Sequence, residues 1–356
     1  MLSYMKKITL TKILSLTTFV IINFFIYCTT LYANTSYKLG EVIYLSIGTG
    51  VIEGTYYPVG KALANLISHP PDLPPCKPDQ ACGVEGLVAV AHSTQGSLDN
   101  ITGIANGKYE SILCQSDIAY IAFHGKEIFA GREAMSNIRA IANLYNESIH
   151  IVASKQSKIN AIHDLKGKNI AIGKRGSGTI INAKKILSYF DLDEKDFKSV
   201  RMIDLGTATE LIRKNELDAF FMTAGYPVLA IEELAQEGLI KLVSIHKKDI
   251  QAIQTEYPFF NWHTLPEGIY KDIRNINLLT ISALWLVDGS VNEELVYNIT
   301  KSLWHPDNRT KLNQGHPQGL KIQYNSAQQN ISIPFHKGAL RFYSEQNKAK
   351  PIAEQH

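Results

Sequence analysis

The chain has 356 residues, with 36 Lys and Arg against 33 Asp and Glu. A polymer so near electroneutrality lacks the basic surplus that nucleic acid or an anionic lipid surface would select.

Residues 1–33 open with Lys6, Lys7 and Lys12, followed by a charge-free run to Leu31-Tyr32-Ala33. This reads as a secretory signal peptide, with an uncleaved membrane anchor as the rival reading. Setting it aside removes three lysines and no acids, so basic and acidic residues balance at 33 each. The remaining ~320 residues exceed one comfortable core, which implies two lobes.

In chain order, the first strand (42–47) runs into a Gly/Thr loop and a helix, within VIYLSIGTGVIEGTYYPVGK (42–61). Pro58 fits that helix's first turn, and Val59, Ala62, Leu63, Leu66 and Ile67 share one face. A Pro-rich loop at 70–83 carries Cys76 and Cys82, close enough for a short local disulfide or for two free thiols. A second strand (86–91) ends in HSTQGSLDN (92–100), and a third (112–114) ends at Gln115-Ser116-Asp117, where Asp117 can cap a helix. Cys114 reads as a small buried side chain.

Residues 138–154 form two β-rich runs and mark a crossing into the second lobe. Strand 169–172 then enters a second Gly/Ser loop and helix, NIAIGKRGSGTIINAK (169–184). Strands at 200–203, 219–222 and 240–245 follow, with helices between them, and the apolar run 278–287 returns to the first lobe. An amphipathic helix near 338–346 closes the chain. Alternating strands and helices predict α/β lobes built on largely parallel sheets. Two crossings imply a discontinuous first lobe, 34–148 with 286–356, around a second lobe, 149–285.

The chemistry lies in the loops after the strands, where open α/β sheets bind ligands. Backbone amides and hydroxyls at a helix N-terminus make an anion site without a metal or cofactor. GTGVIEG misses the dinucleotide spacing, and GKRGSGT lacks the lysine of a phosphate-binding P-loop. Arg175 is the only arginine in these loops; it could clamp a carboxylate or stand as a surface charge. Ser177 in G-S-G is not a nucleophile elbow. The histidines lack metal-ligand spacing, and His336 reads as a packing or capping residue.

The segments IGTGVIEGTYYPVG, STQGSLDNI, QSDIAY, LKGKNIAIGKRGSGT, AFFMTAGYP, LPEGIY and IPFHKGALRFYSE resemble, in order along the chain, the TAXI family. These are solute-binding proteins of tripartite ATP-independent periplasmic (TRAP) transporters. The resemblance implies a two-lobed type II periplasmic-binding-protein fold, a monomer without cofactor or metal. It implies no enzymatic activity. The solute would be a small organic acid or amino acid, glutamate-, glutamine- or 2-oxoglutarate-like, delivered to membrane permease subunits driven by an ion gradient.

Residue by residue, the implied site takes Gly48, Thr49, Gly50, Thr55 and Tyr56 from the first loop, then Ser93, Thr94, Ser97 and Asn100. Gln115 and Ser116 follow, with Gly176, Ser177, Gly178 and Thr179, and then Gly225, Tyr226 and Pro227. Arg175 departs from the family pattern and adds a charge at the presumed cleft. Two other readings stay open: a binding protein reporting to a membrane sensor kinase, and an enzyme on the same fold.

Overall fold

The computed structural model describes residues 42–75 and 81–349. The leader, Cys76 and hence the expected Cys76–Cys82 pairing lie outside the described residues.

The strands are β1 (Ile43–Gly48), β2 (Ser68–His69), β3 (Val84–Glu85), β4 (Leu87–His92), β5 (Ser111–Gln115) and β6 (Ile138–Ser154). After them come β7 (Asn169–Ala171), β8 (Ser199–Arg201), β9 (Ala219–Ala224), β10 (Ile240–Leu242), β11 (Asn261–Thr264) and β12 (Asn277–Asp288). Ten of these form one sheet in the order β4-β1-β5-β12-β6-β9-β7-β8, with β10 on β6 and β11 on β12. β2 and β3 pair separately.

The sheet is mixed rather than largely parallel. The outer pairs β1–β4, β1–β5, β7–β8 and β7–β9 are parallel. The two long central strands run antiparallel to each other, from Ile138 opposite Asp288 to Ser148 opposite Thr280. Residues 138–154 are thus a single strand instead of two runs. Burial on both faces explains its near-continuous apolar sequence. The register shifts beside Ala283 and Trp285 let two strands of this length follow the twist of the sheet.

Ten helices are described: α1 (Tyr56–Ile67), α2 (Ser97–Ala105), α3 (Ser116–Phe123), α4 (Gly178–Tyr189), α5 (Leu205–Arg213), α6 (Leu229–Gln236), α7 (Lys247–Glu256), α8 (Glu293–Leu303), α9 (Asn308–Gly315) and α10 (Lys337–Ala349). In α1, Val59, Leu63, Leu66 and Ile67 are buried at helical spacing against β1's Leu45 and Ile47. Pro58 sits in its first turn, where no helical donor is lost.

Four apolar clusters form the core. Two gather around β1, β5 and helices α1 to α3, joined by α8 and α10. Two gather around β7, β9 and helices α4 to α7. β12 feeds both sides, Trp285 and Val287 packing with the first group and Leu279 and Ile281 with the second.

Of two expected caps, one is absent and one is formed. Asp117 caps no helix: α3 starts after Gln115 without a side-chain cap, and Asp117 is fully buried. His336 does cap, its Nδ1 accepting from Gly338 N at 3.2 Å at the start of α10 while Nε2 meets Val291 O at 3.0 Å. Cys114 is buried and free.

Candidate functional site

A cavity of about 80 Å³ lies at the C-terminal ends of β1, β5, β7 and β9, where their loops converge. Of the residues expected at the site, Gly50, Thr55, Tyr56, Ser97, Gln115, Ser177, Gly178 and Thr179 line it. They come from loops and helix starts on both sides of the central strands.

The contacts that close the cavity are local chemistry acting at long sequence range. The amides of Leu98 and Asp99, in the first turn of α2, both donate to Gly176 O, at 3.0 and 3.1 Å. Thr55 Oγ1 donates to Gly225 O at 3.1 Å, and Gln318 Nε2 donates to Tyr226 O. Gly176 holds φ +89°, and a Cβ there would meet Gln95 Cβ at 2.8 Å, so only glycine fits without strain. Gly178 is required by approach instead: its Cβ would come within 2.0 Å of Gln115 Oε1.

Other expected residues build the frame around the cavity. Asn100, fully buried, donates from Nδ2 to Thr49 O at 2.6 Å and Leu113 O at 2.7 Å, joining the ends of β1 and β5. Thr49 Oγ1 donates to His92 O at 2.6 Å, Thr94 Oγ1 to Thr49 O at 3.0 Å and Ser93 Oγ to Gly50 O at 3.0 Å. Gly48 makes room for Tyr109, whose ring would stand 2.8 Å from a Cβ. Ser116 is buried at the start of α3.

Arg175 is exposed and outside the lining. The cation in the wall is its neighbour Lys174. Tyr226 lines a second, separate cavity, stacked on His263 with ring centroids 5.1 Å apart, and the Tyr226–Pro227 peptide is cis.

The cavity floor holds a group that the strand-end loops do not reveal. Glu147, in the middle of β6 and 3% exposed, lines the cavity and accepts from Tyr56 Oη at 2.7 Å. Burial pushes its carboxyl up to about 8, against the opposing pull of hydrogen bonds from Tyr56 and Gln115; the nearby Asp117 raises it further. Asp117 is pushed up to about 6, again by burial, with Lys185 drawing it down. It receives Asn182 Nδ2 at 3.0 Å, and Asn182 Oδ1 in turn accepts from Thr223 Oγ1 at 3.0 Å. Thr223 N donates to Thr179 Oγ1 at 3.2 Å. This chain ties the floor of the cavity to α4.

The only sequence signal for Glu147 was the polar triplet Asn146-Glu147-Ser148 interrupting an apolar strand. Gln95, Lys174, Asp204 and Thr223 also line the cavity, as do the apolar Ile203, Leu205, Phe220 and Met222. Among the described residues no group of His, Cys, Asp and Glu side chains is placed to hold a metal ion.

A family model described as the NMT1-like family matches residues 47–346, which include every loop around the cavity. The chain belongs to the NMT1-like family. Among solved structures it is similar to a Bordetella bronchiseptica RB50 protein, at 15% identity over 86% of this chain and 90% of that one, with a TM-score of 0.50. It is likewise similar to the periplasmic binding protein BugD, at 12% identity over 85% and 93% of the two chains, with a TM-score of 0.51. At these identities the likeness establishes the architecture: this NMT1-like chain has the mixed α/β fold of periplasmic binding proteins.

Proposed function

We propose that this NMT1-like protein is an extracytoplasmic solute receptor that binds a small carboxylate or amino acid and hands it to a membrane permease. The observation that carries this reading is the cavity itself, enclosed by loops from both sides of the central strands and held shut by hydrogen bonds between those loops. Such a device traps a solute and releases it when the loops part.

The resemblance to the TAXI family supports the finer assignment to a TRAP transporter with an ion-gradient-driven permease and a glutamate-, glutamine- or 2-oxoglutarate-like solute. In that reading residues 1–33 are a signal peptide, lobe I is 34–148 with 286–356, lobe II is 149–285, and the monomer works in the periplasm. Cys76 and Cys82 then form a disulfide; the exported protein should be two hydrogens lighter than its reduced form, with Cys114 alone alkylated on denaturation.

The test is mass spectrometry of what co-purifies with the protein, followed by calorimetry with that compound. Recovery of an unaltered small acid or amino acid that rebinds supports the receptor. Turnover of the compound would replace this reading with an enzyme on the same fold.

A further inference from the structure

On the reading of the cavity as the solute site, Glu147 is the lining carboxyl that no cation of the protein accompanies. Asp204 caps α5, accepting Thr207 N at 2.8 Å. That bond, with Lys174 acting from a distance, holds its carboxyl below the usual range. Glu147 has no such neighbour. The groups facing it are Tyr56 from α1, Tyr145 on its own strand, Cys114 and Gln115 from β5, and Asp117 from α3, all neutral or acidic.

Gln115 supplies an independent observation. It is 3% exposed and lines the cavity, yet its Oε1 has no hydrogen-bond partner; Gln95 Oε1, also buried and in a lining residue, has none either. Buried acceptors are ordinarily satisfied. Glu147, Gln115 and Gln95 all line the cavity, and a primary ammonium has three N–H bonds to offer such acceptors. Beyond them the wall turns apolar at Ile203, Leu205, Phe220 and Met222.

We propose that the cavity takes an α-amino acid with an apolar side chain, its ammonium seated on Glu147, Gln115 and Gln95 and its side chain against Phe220 and Met222. A 2-oxo acid, which has no ammonium, offers Gln115 Oε1 and Gln95 Oε1 no donor and should bind more weakly than the amino acid. Since burial keeps Glu147 protonated to about 8, seating the ammonium sends that proton to solvent. Affinity should therefore rise about tenfold per pH unit until about 8.

The experiment is calorimetry of ligand-stripped protein, wild type and Glu147→Gln, at pH 6, 7 and 8 in two buffers of different ionisation heat. The probes are L-alanine, L-valine, L-leucine, L-methionine and L-phenylalanine, their 2-oxo counterparts, L-glutamate and 2-oxoglutarate. The expected result is tight binding of at least one apolar amino acid with proton release at pH 7. Its 2-oxo counterpart should bind about a hundredfold more weakly, and Glu147→Gln should lose both the affinity and the pH slope. If a 2-oxo acid or 2-oxoglutarate binds as tightly, or Glu147→Gln binds the amino acid unchanged, the ammonium seat is wrong while the receptor reading stands. No binding of any probe by folded protein, or turnover of one, overturns both.

Discussion

Two helix N-termini face each other across the cavity rim, and they do different work. In α2 the first-turn amides of Leu98 and Asp99 are spent on Gly176 O, so those two donors hold the rim shut rather than meet a solute. In α4 no side chain caps the first amides, and Ser177, Gly178 and Thr179 line the cavity. Both starts look alike as sequence, a glycine-rich turn with hydroxyls before a helix. A helix end attracts whatever acceptor the fold brings to it, and here one receives a carbonyl of its own chain.

Beneath the rims, Asp117 on α3 meets Asn182 on α4 at 3.0 Å, and this polar floor gives the largest expected effect. Burial raises the folded-state values of Glu147 to about 8 and Asp117 to about 6. Each therefore adds stability that is complete below its unfolded value and is lost as pH rises through its folded one. Ligand-free protein should lose on the order of a few kcal/mol between pH 5 and 8, on the order of 5–10 °C in Tm. Calorimetric scans of wild type, Glu147→Gln and Asp117→Asn check this: each variant should flatten the profile in its own window. A wild-type Tm that climbs over that range would break the account.

Gly176→Ala attacks the closing contact. A side chain at φ +89° crowding Gln95 costs about 1–2 kcal/mol of local strain. Binding should weaken about tenfold with the fold intact by circular dichroism. Wild type should also contract on adding ligand in small-angle scattering, whereas the variant should contract less. Equal contraction would mean that the Gly176 carbonyl does not hold the rim.

Lys174 and Arg175 sharpen the comparison on the α4 side. Lys174→Ala should weaken binding of the solute about tenfold, and Arg175→Ala, at an exposed position, by less than about twofold. Titrating both variants decides which of two adjacent cations serves the cavity. The smallest effect belongs to Ser177→Ala: its hydroxyl already donates to Lys174 O at 2.7 Å, so less than about a threefold change is expected.

Much of the fold could be read directly. The apolar runs at β1, β4, β5, β7 and β9 lie within a residue or two of their expected positions, because each is a short β-rich run bounded by turn-forming residues. β11, with alternate exposed residues at Trp262 and Thr264, carried no such run and was missed. The site was half legible: Gly50, Thr55, Tyr56, Gln115 and Ser177 to Thr179 sit on strand ends and helix starts, where pattern points. Glu147 and Phe220 sit inside strands, where an acid or an aromatic ring gives no hint of the face it lines.

By itself, then, the sequence determined most of the strands and helices and that glycine-rich loops gather at strand ends, since these follow from periodicity and local backbone preference. Only the tertiary structure decided that residues 138–154 run as one strand opposite β12, that Gly176 O occupies α2, and that Lys174 rather than Arg175 lines the wall. Those choices depend on which distant groups compete for the same donors, and the direction of a side chain on a tight turn is set by the backbone on either side of it rather than by its own identity.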